Sequence, residues 1–289
     1  MSAVVATTKS YTHVVSADGR TMTVRLHAAQ SSRDCFSADQ PSTGHAVWFA
    51  AENLTQMLVD QVRSPSKSWR EARHVLELGA GPGLVGIWAA KLLEDGGSGA
   101  RDNGNLTPGT ETRQYLFTDG DADVVALLQR NCDYNAMPDS VVCAKLWWGP
   151  EESSALRSLR PGGFDIILGA DLIYGREHTL QQGNVLDNLM STVQTLLAIN
   201  GVFYLAFTRR DLPVDVVLAC AEKHGMVYEL EEDYVFDIFD TNTDGQTCFW
   251  RDAIYAFRRT RIAASPLLPA AATPDGAVDR GCGHDGIIP

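Results

Sequence analysis

The stretch from residue 75 to residue 86, VLELGAGPGLVG, is suited to holding a small molecule. It contains four glycines within eight residues, and a glycine has no Cβ that would keep a ligand away from the backbone. Gly81, Gly83 and Gly86 also satisfy the G-x-G-x-x-G spacing of dinucleotide-binding loops, which alone is weak evidence. An apolar run precedes the glycines and a helical pattern follows them. The loop therefore lies where a strand gives way to a helix, the place at which open α/β sheets bind ligands.

Two acidic residues accompany this loop. Glu77 comes just before the first glycine, where it can accept hydrogen bonds from the ammonium group of an amino acid. The string ELGAGPG therefore favours S-adenosylmethionine (SAM) over a pyrophosphate. Asp119 ends the next predicted strand, where a carboxylate can bind two ribose hydroxyls. Because NAD and SAM both carry a ribose, Asp119 does not separate them. A turn or helix cap is the alternative role for Asp119, although Asp121 fits a cap better.

A third acidic residue, Asp171, follows the apolar run 164–170, FDIILGA, and Tyr174 comes three positions later. The carboxylate of Asp171 can bind a cationic amine. Tyr174 can orient an amine through its hydroxyl or present its ring face to a cation. Taken alone, the two residues fit a loop cap and a half-buried aromatic equally well.

Alternating strand and helix patterns position these residues. Apolar runs predict strands at 74–78, 115–118, 141–146, 164–170, 202–207, 226–230 and 253–257. Apolar residues at helical spacing predict helices at 46–62, 84–93, 124–131 and 185–197, with another opened by Pro213 at a first-turn position and closed by Gly225. Strands with intervening helices predict an α/β fold with a doubly wound, mostly parallel sheet of seven strands.

The chain is predicted to have one main domain with additions. Residues 1–43 read as an N-terminal β-hairpin extension packed on that domain, with strands at 12–15 and 21–26 around an Asp-Gly turn. The main domain spans 44–261. Residues 94–113 are rich in Gly, Asn and Thr and predict a flexible insertion, and the Ala/Pro/Gly-rich residues 262–289 predict a disordered tail.

Composition excludes several classes of protein. With 289 residues, 45% hydrophobic and 21% charged, the chain is neither fibrous nor wholly disordered. A net charge of −12 argues against non-specific nucleic-acid binding and is compatible with a basic, lysine-bearing protein partner. No apolar stretch is long enough for a membrane span, and the N-terminus lacks the pattern of a secretory signal.

The six cysteines and seven histidines show no metal-ligand spacing, so we expect a metal-free protein. Scattered cysteines without a C-x-x-C pair favour a reducing compartment, and we expect a cytoplasmic protein, possibly nuclear as well. The absence of an obvious exposed apolar helix favours a monomer.

Over residues 44–257 the chain resembles the family-16 seven-strand SAM-dependent methyltransferases, the D-x-x-Y protein lysine methyltransferases. Seven elements in order carry the resemblance: Gly44-x-x-x-Trp48-x-Ala50-Ala51-x-x-Leu54, LELGAG at 76–81 with GLVG at 83–86, Thr118-Asp119, Asn131-x-x-x-Asn135, Leu146-x-Trp148-Gly149, Asp171-Leu172-Ile173-Tyr174 and Arg209-Arg210. The resemblance implies a class I, Rossmann-like methyltransferase fold. The insertion at 94–113 and the C-terminal tail depart from the family pattern.

The resemblance also implies a role for each matching residue. Trp48 and the backbone of residues 79–81 (Gly79, Ala80 and Gly81) would contact the methionine end of SAM. Asp119 would hold the ribose and Trp148 would lie beside the adenine, although the neighbouring Trp147 leaves the stacking residue open. Ala170 would line the cofactor pocket. Asp171 and Tyr174 would be the catalytic residues.

The chemistry of amine methylation assigns Asp171 a specific role. A free lysine has a pKa of ~10.4 and must be neutral to attack, whereas a nearby carboxylate favours the ammonium form. Asp171 is therefore better suited to holding the lysine and to stabilising the positive charge that develops on nitrogen in the transition state.

These observations predict an enzyme that transfers a methyl group from SAM to a protein side chain, with lysine N6 as the expected acceptor. Three alternatives remain open. The acceptor could be a protein arginine or histidine or a small molecule, or the chain could be a catalytically silent methyltransferase-like binding module. A hydride-transferring dehydrogenase is a more distant alternative, because no clear second substrate domain follows the nucleotide-binding pattern.

Overall fold

The fold is described from a computed structural model. The structure describes residues 9–17, 20–28, 43–63, 69, 71–96, 112–173, 185–209, 213–241 and 247–260. Tyr174, Arg210, most of the predicted insertion (97–111) and the predicted tail lie outside the described residues. The predicted domain boundaries, the flexibility of the insertion and the disorder of the tail stay predictions.

The described residues form nine strands and six α-helices. In chain order they are β1 (Lys9–Ala17), β2 (Arg20–Ala28), α1 (Phe49–Arg63), β3 (His74–Leu78), α2 (Leu84–Gly96), β4 (Gln114–Asp119), α3 (Ala122–Tyr134), β5 (Val141–Lys145), α4 (Pro150–Leu159), β6 (Phe164–Ala170), α5 (Val185–Leu196), β7 (Leu197–Arg209), α6 (Val214–Lys223), β8 (Met226–Thr241) and β9 (Thr247–Arg259). A short 3-10 turn, Thr43–His45, precedes α1.

Seven strands form one sheet in the order β5-β4-β3-β6-β7-β9-β8. Neighbouring strands from β5 to β7 pair in parallel, whereas β9 runs antiparallel to both β7 and β8. The chain moves outward from β3 to β5 and then returns to place β6 on the other side of β3. Strand order therefore reverses between β3 and β6, and open α/β sheets bind their ligands at the carboxyl ends of the strands beside such a reversal.

Helices cover both faces of this sheet. One apolar core includes Leu54 of α1, Trp88 of α2 and Leu128 of α3. The other includes Met190 of α5 and Val217 of α6. The two cores together with the sheet confirm the doubly wound, mostly parallel α/β fold that the sequence predicts.

Strands β1 and β2 pair antiparallel over their whole length, in a two-stranded sheet of their own. Val24 and Leu26 of β2 are fully buried and belong to the same core as helices α1, α2 and α3. The ring of His13 also packs edge-on against Trp88, with ring centroids 5.6 Å apart. The hairpin is therefore held against the helices by apolar contacts.

Several predicted elements differ from the structure. The sequence misses helix α4 altogether, and β7, β8 and β9 are each longer than predicted. Pro213 is the residue just before α6 and not within its first turn, whereas Gly225 follows the helix with a φ of +69°, as expected of a helix-ending glycine. Among the described residues, no helix combines the length and the apolar character needed to cross a bilayer.

Candidate functional site

A cavity of about 520 Å³ opens at the carboxyl ends of β3 and β6, where the strand order reverses. Its volume lies within the range of ligand pockets, roughly 300–1,000 Å³. The lining residues come from the 3-10 turn, α1, the ends of β3, β4 and β6, and the starts of α2, α3 and α5. They include Gly44, Trp48, Glu77, Gly79, Ala80, Gly81, Asp119, Trp147, Trp148, Ala170, Asp171, Val185 and Asn188.

The glycine loop between β3 and α2 forms one wall of this cavity. Gly79, Gly81 and Gly83 all have φ between +54° and +92°, a region that other residues rarely adopt. A Cβ on Gly79 would lie 2.6 Å from Leu172 Cδ2, and one on Gly81 would lie 3.2 Å from the carbonyl oxygen of Gly44. The loop therefore needs glycine for its backbone conformation and for its close contacts.

Glu77 lies beneath the loop, only 2% exposed, and still reaches the cavity. Its Oε2 accepts a hydrogen bond of 3.0 Å from the backbone N–H of Gly86, in the first turn of α2. Burial raises the pKa of Glu77 well above its ordinary value, and the bond from Gly86 opposes that rise. One carboxylate oxygen thus holds α2 against β3, and the residue also borders the space in which a ligand would lie.

Asp119 ends β4 on the opposite side of the loop. Its Oδ2 accepts from the N–H of Gly81 at 3.2 Å, and its Oδ1 accepts from the N–H of Asp121 at 3.1 Å. Burial raises the pKa of Asp119, while these backbone donors lower it. Asp121 is the N-cap of α3 and accepts from the N–H of Asp123, which confirms the predicted capping role.

Asp171 comes directly after β6, lines the cavity and is 5% exposed. Its φ of +53° is uncommon for a non-glycine residue, although Asp tolerates it better than most. The N–H of Asp171 donates to the carbonyl of Ala206 on β7 at 2.8 Å, and its Oδ1 accepts from the N–H of Thr208 at 3.4 Å. Strand β7 therefore fixes both the backbone and the carboxylate of Asp171.

Two adjacent tryptophans border the cavity in different places. An ideal Cβ on Gly120 would lie 3.1 Å from the ring of Trp147, which is 60% exposed. One on Gly79 would lie 3.4 Å from Cζ2 of Trp148. Trp147 thus lies beside the end of β4, and Trp148 lies beside the glycine loop. The ammonium group of Lys145 is 5.6 Å from the centroid of the Trp147 ring.

The eight residues predicted to bind the cofactor all line this one cavity, together with the predicted catalytic Asp171; they are Trp48, Glu77, Gly79, Ala80, Gly81, Asp119, Trp148 and Ala170. Tyr174, the other predicted catalytic residue, lies outside the described residues. The sequence reasoning missed Val185 and Asn188, which enter the cavity from the start of α5. The only sequence signal was that Asn188 is a polar residue near the start of an otherwise apolar helical pattern.

The described residues include one group with the side chains that metals prefer. Asp187, Cys220 and His224 bring their possible ligand atoms within 4.8 Å of one another, between α5 and α6. Lys223 donates to Asp187 Oδ1 at 2.6 Å, and His224 Nε2 lies 2.9 Å from the same oxygen. Asp187 of α5 therefore bonds both Lys223, in the last turn of α6, and His224, which follows it, and these contacts join the two helices.

The fold and the cavity define a class: a doubly wound α/β protein with a cofactor-type glycine loop and an acidic residue at the end of the next strand. A model of the lysine methyltransferase family matches residues 34–223, more than half of the chain. The chain belongs to this family, which confirms the resemblance seen in the sequence.

Three curated relatives illustrate the similarity. EEF1A lysine methyltransferase 3 of Mus musculus is 30% identical over 220 residues, which cover 68% of this chain and 78% of that protein. Protein-lysine N-methyltransferase EFM6 of Saccharomyces cerevisiae is 28% identical, covering 50% and 56%. Protein N-lysine methyltransferase METTL21A of Mus musculus is 34% identical, covering 45% and 47%. For EFM6 and METTL21A the matched region is about half the length of the relative.

Solved structures with a similar chain trace include a SAM-dependent methyltransferase from Agrobacterium tumefaciens, with 12% identity and a TM-score of 0.48, covering 86% of this chain and 70% of that one. Precorrin-6y C5,15-methyltransferase from Geobacter metallireducens has 14% identity and a TM-score of 0.46, covering 77% and 92%.

Proposed function

We propose that this protein is a SAM-dependent methyltransferase that modifies lysine N6 in another protein. One observation carries the proposal: a single cavity combines the glycine loop, Glu77 and Asp119 with the buried carboxylate of Asp171. Family membership supports the same reaction class.

The residues of the cavity fit the cofactor. Glycines with positive φ allow the loop backbone to border the cavity closely. The cavity also holds two carboxylates, and SAM has two polar groups that they could bind, the ammonium group of its methionine part and the hydroxyls of its ribose. Glu77 would accept from the ammonium group, Asp119 from the ribose hydroxyls, and Trp148 would flank the adenine. Trp48 would border the methionine end. Bound there, SAM supplies a methyl group on a positively charged sulfur.

On the acceptor side, Asp171 would hold the incoming amine. Methyl transfer to nitrogen is an in-line displacement, so correct placement of the nucleophile contributes much of the acceleration. The buried carboxylate, which accepts from the N–H of Thr208 on β7, would also stabilise the positive charge that grows on nitrogen. Tyr174 would complete this side of the site.

A protein acceptor is supported by the three relatives, which are named as lysine methyltransferases of proteins. The net charge of −12 suits a basic, lysine-bearing partner. We further propose that the protein is located in the cytoplasm, with the nucleus as the alternative, because the cysteines of the sequence are scattered and Cys132, Cys143 and Cys220 are free in the structure. We also propose that it is a monomer, because the sequence shows no obvious exposed apolar helix.

The proposal is tested by transfer of a labelled methyl group from SAM into a lysate of the source organism. Wild type and Asp171→Asn are run side by side, and labelled protein is hydrolysed to identify the methylated amino acid. We expect a discrete labelled band that contains methyl-lysine with the wild type, and a band at least ~100-fold weaker with the variant.

Other outcomes overturn parts of the proposal. Methyl-arginine or methyl-histidine in the band would reject lysine as the acceptor and keep the methyltransferase. Label only in small molecules would reject a protein acceptor. SAM binding without any labelled product would reject the enzymatic role and favour a silent binding module.

A further inference from the structure

Asn131 lies in the last turn of helix α3 and Asn135 is the residue that caps its end, and both side chains bond strand β2 of the N-terminal hairpin. Asn131 is fully buried; its Oδ1 accepts from the N–H of His27 at 2.8 Å, and its Nδ2 donates to the carbonyl of His27 at 3.1 Å. Asn135 repeats the pattern with Arg25, accepting at 3.1 Å and donating at 2.6 Å. Each side-chain amide therefore pairs with both the N–H and the carbonyl of one β2 residue, which is the pairing that a neighbouring strand would make.

The two asparagines differ in their remaining contact. Nδ2 of Asn135 donates back into its own helix, to the carbonyl of Asn131 at 2.8 Å. Nδ2 of Asn131 instead donates to the carbonyl of Pro82 at 2.8 Å. Pro82 lies between Gly81 and Gly83 in the glycine loop and itself lines the cavity. Only Asn131 of this pair joins the hairpin directly to the loop.

This contact is well placed to fix the loop. Pro82 lacks an N–H, so its carbonyl is its one backbone hydrogen-bonding group, and Asn131 satisfies it in a buried position. Next to Pro82, the N–H of Gly81 contacts Asp119 and the N–H of Gly83 donates to the carbonyl of Ala80. A shift of Pro82 would therefore move the backbone groups that border the cavity.

We propose that Asn131 is a positioning residue for the cofactor, and that it links the N-terminal hairpin to the cofactor site. None of the hairpin residues that the structure describes, 9–17 and 20–28, lines the cavity itself. The inference rests on the proposed use of SAM. Pre-organised sites bind their ligands more tightly because less order has to be imposed on binding. Loss of the Asn131 amide should therefore weaken SAM binding and leave the chemical step unchanged.

The test compares Asn131→Ala with the matched control Asn135→Ala in the full chain. We expect the dissociation constant and KM for SAM to rise about tenfold in Asn131→Ala, with kcat at saturating SAM within twofold of wild type. Asn135→Ala should keep its SAM affinity within twofold, although its Tm should also fall. Equal weakening by both variants, or weakening by neither, would overturn the positioning role.

A second pair of variants acts from the hairpin side. His27→Pro removes the N–H that donates to Asn131 and leaves Asn131 itself unchanged. Arg25→Pro is the matched control, because it removes the N–H that donates to Asn135. We expect His27→Pro to weaken SAM binding about threefold and Arg25→Pro to leave it unchanged. The reverse order of effects would reject the link between hairpin and loop.

Amide hydrogen exchange separates this inference from the proposed function. In Asn131→Ala, the amides of Gly83 and Ile87 should exchange at least about fivefold faster than in wild type, with no ligand present. In Asn135→Ala they should not. A wild type that fails to bind SAM would reject the proposed cofactor, and the exchange rates would still decide whether Asn131 fixes the loop.

Discussion

Both sides of the strand-order reversal place carboxylates at the cavity, but these carboxylates accept hydrogen bonds of different length. On the β3–β4–β5 side, the carboxylates of Glu77 and Asp119 accept backbone N–H groups at 3.0–3.2 Å from the glycine loop and the helices that follow. On the β6–β7 side, Asp171 accepts from Thr208 at the longer distance of 3.4 Å. The hydroxyl of Thr208 is buried without a hydrogen-bond partner among the described residues.

In the proposed function, the first side binds the cofactor and the second side contacts the acceptor. A carboxylate that already holds its own backbone is costly to change for both structure and binding. Asp171 lines the cavity with a carboxylate, a group that can pair with an incoming cation. Variants on the two sides should therefore separate cofactor binding from turnover.

The largest effect is expected at Asp171. Asp171→Ala and Asp171→Asn should lower kcat by roughly 100- to 1,000-fold, because each removes the charge that stabilises the cationic transition state. The dissociation constant for SAM should stay within threefold of the wild-type value. Initial rates with a labelled acceptor and calorimetric titration with SAM measure the two quantities. Full activity in either variant would show that Asp171 does not contact the acceptor.

On the cofactor side, Gly81→Val should raise the dissociation constant for SAM at least about 30-fold. The new side chain meets the carbonyl of Gly44 and forces a φ of +54° on a β-branched residue. Gly162→Val is the control, since a Cβ on Gly162 meets nothing within 4 Å. Circular dichroism tests whether both variants fold. A folded Gly81→Val with wild-type affinity would contradict the role of the loop.

Glu77→Gln should weaken SAM binding about tenfold, because it removes one charge from a hydrogen bond to the ammonium group and keeps the oxygen that accepts from Gly86. Its pH dependence is a sharper test. The pKa of Glu77 is higher in the folded state, so the folded protein holds the proton more tightly than the unfolded chain.

The resulting contribution to stability is complete below the unfolded pKa of about 4.3 and is lost as the pH rises through the folded pKa. The Tm of wild type should therefore fall relative to that of Glu77→Gln as the pH rises above 5. SAM affinity of the wild type should increase over the same range, because an ammonium group favours the carboxylate. Parallel Tm curves for the two proteins would contradict the burial effect.

The smallest effects are expected at the two tryptophans. Trp148→Ala should raise the dissociation constant for SAM about fivefold, and Trp147→Ala about twofold, because the exposed Trp147 ring excludes less water from the cavity. Fluorescence titration with SAM in each variant measures both. A larger effect from Trp147 would place the adenine beside the end of β4 and Gly120.

The sequence was sufficient for the parts of the fold with regular patterns. The glycine loop, Asp119 and Asp171 follow apolar strands whose ends could be read directly, and β3 and β6 match their predicted bounds. Helix α4, PEESSALRSL, was missed because it buries only Ser153 completely and has no continuous apolar face. Leu197, the first residue of β7, was assigned to the preceding helix, because it continues the apolar spacing of that helix.

Contacts between distant parts of the chain were harder to foresee. Asn131 is a polar residue within a helix, a position usually at the surface, and it is buried because the hairpin, about 100 residues earlier, supplies matching backbone groups. Asn188 enters the cavity only because α5 packs beside the turn at Gly149, whose N–H donates to Thr192. The sequence shows the Asn131-x-x-x-Asn135 motif and a polar residue at 188, but it does not show which distant backbone groups these side chains meet.

The hydrogen bonds from the side-chain amides of Asn131 and Asn135 to β2 also affect how the protein behaves at high concentration. A two-stranded sheet has open edges, and unpaired backbone groups on such an edge can recruit a strand from another molecule. The side chains of Asn131 and Asn135 occupy the edge at Arg25 and His27 and leave no free backbone group there for a second copy. At these two positions, the amides that hold the hairpin therefore also prevent a strand of another molecule from pairing with β2.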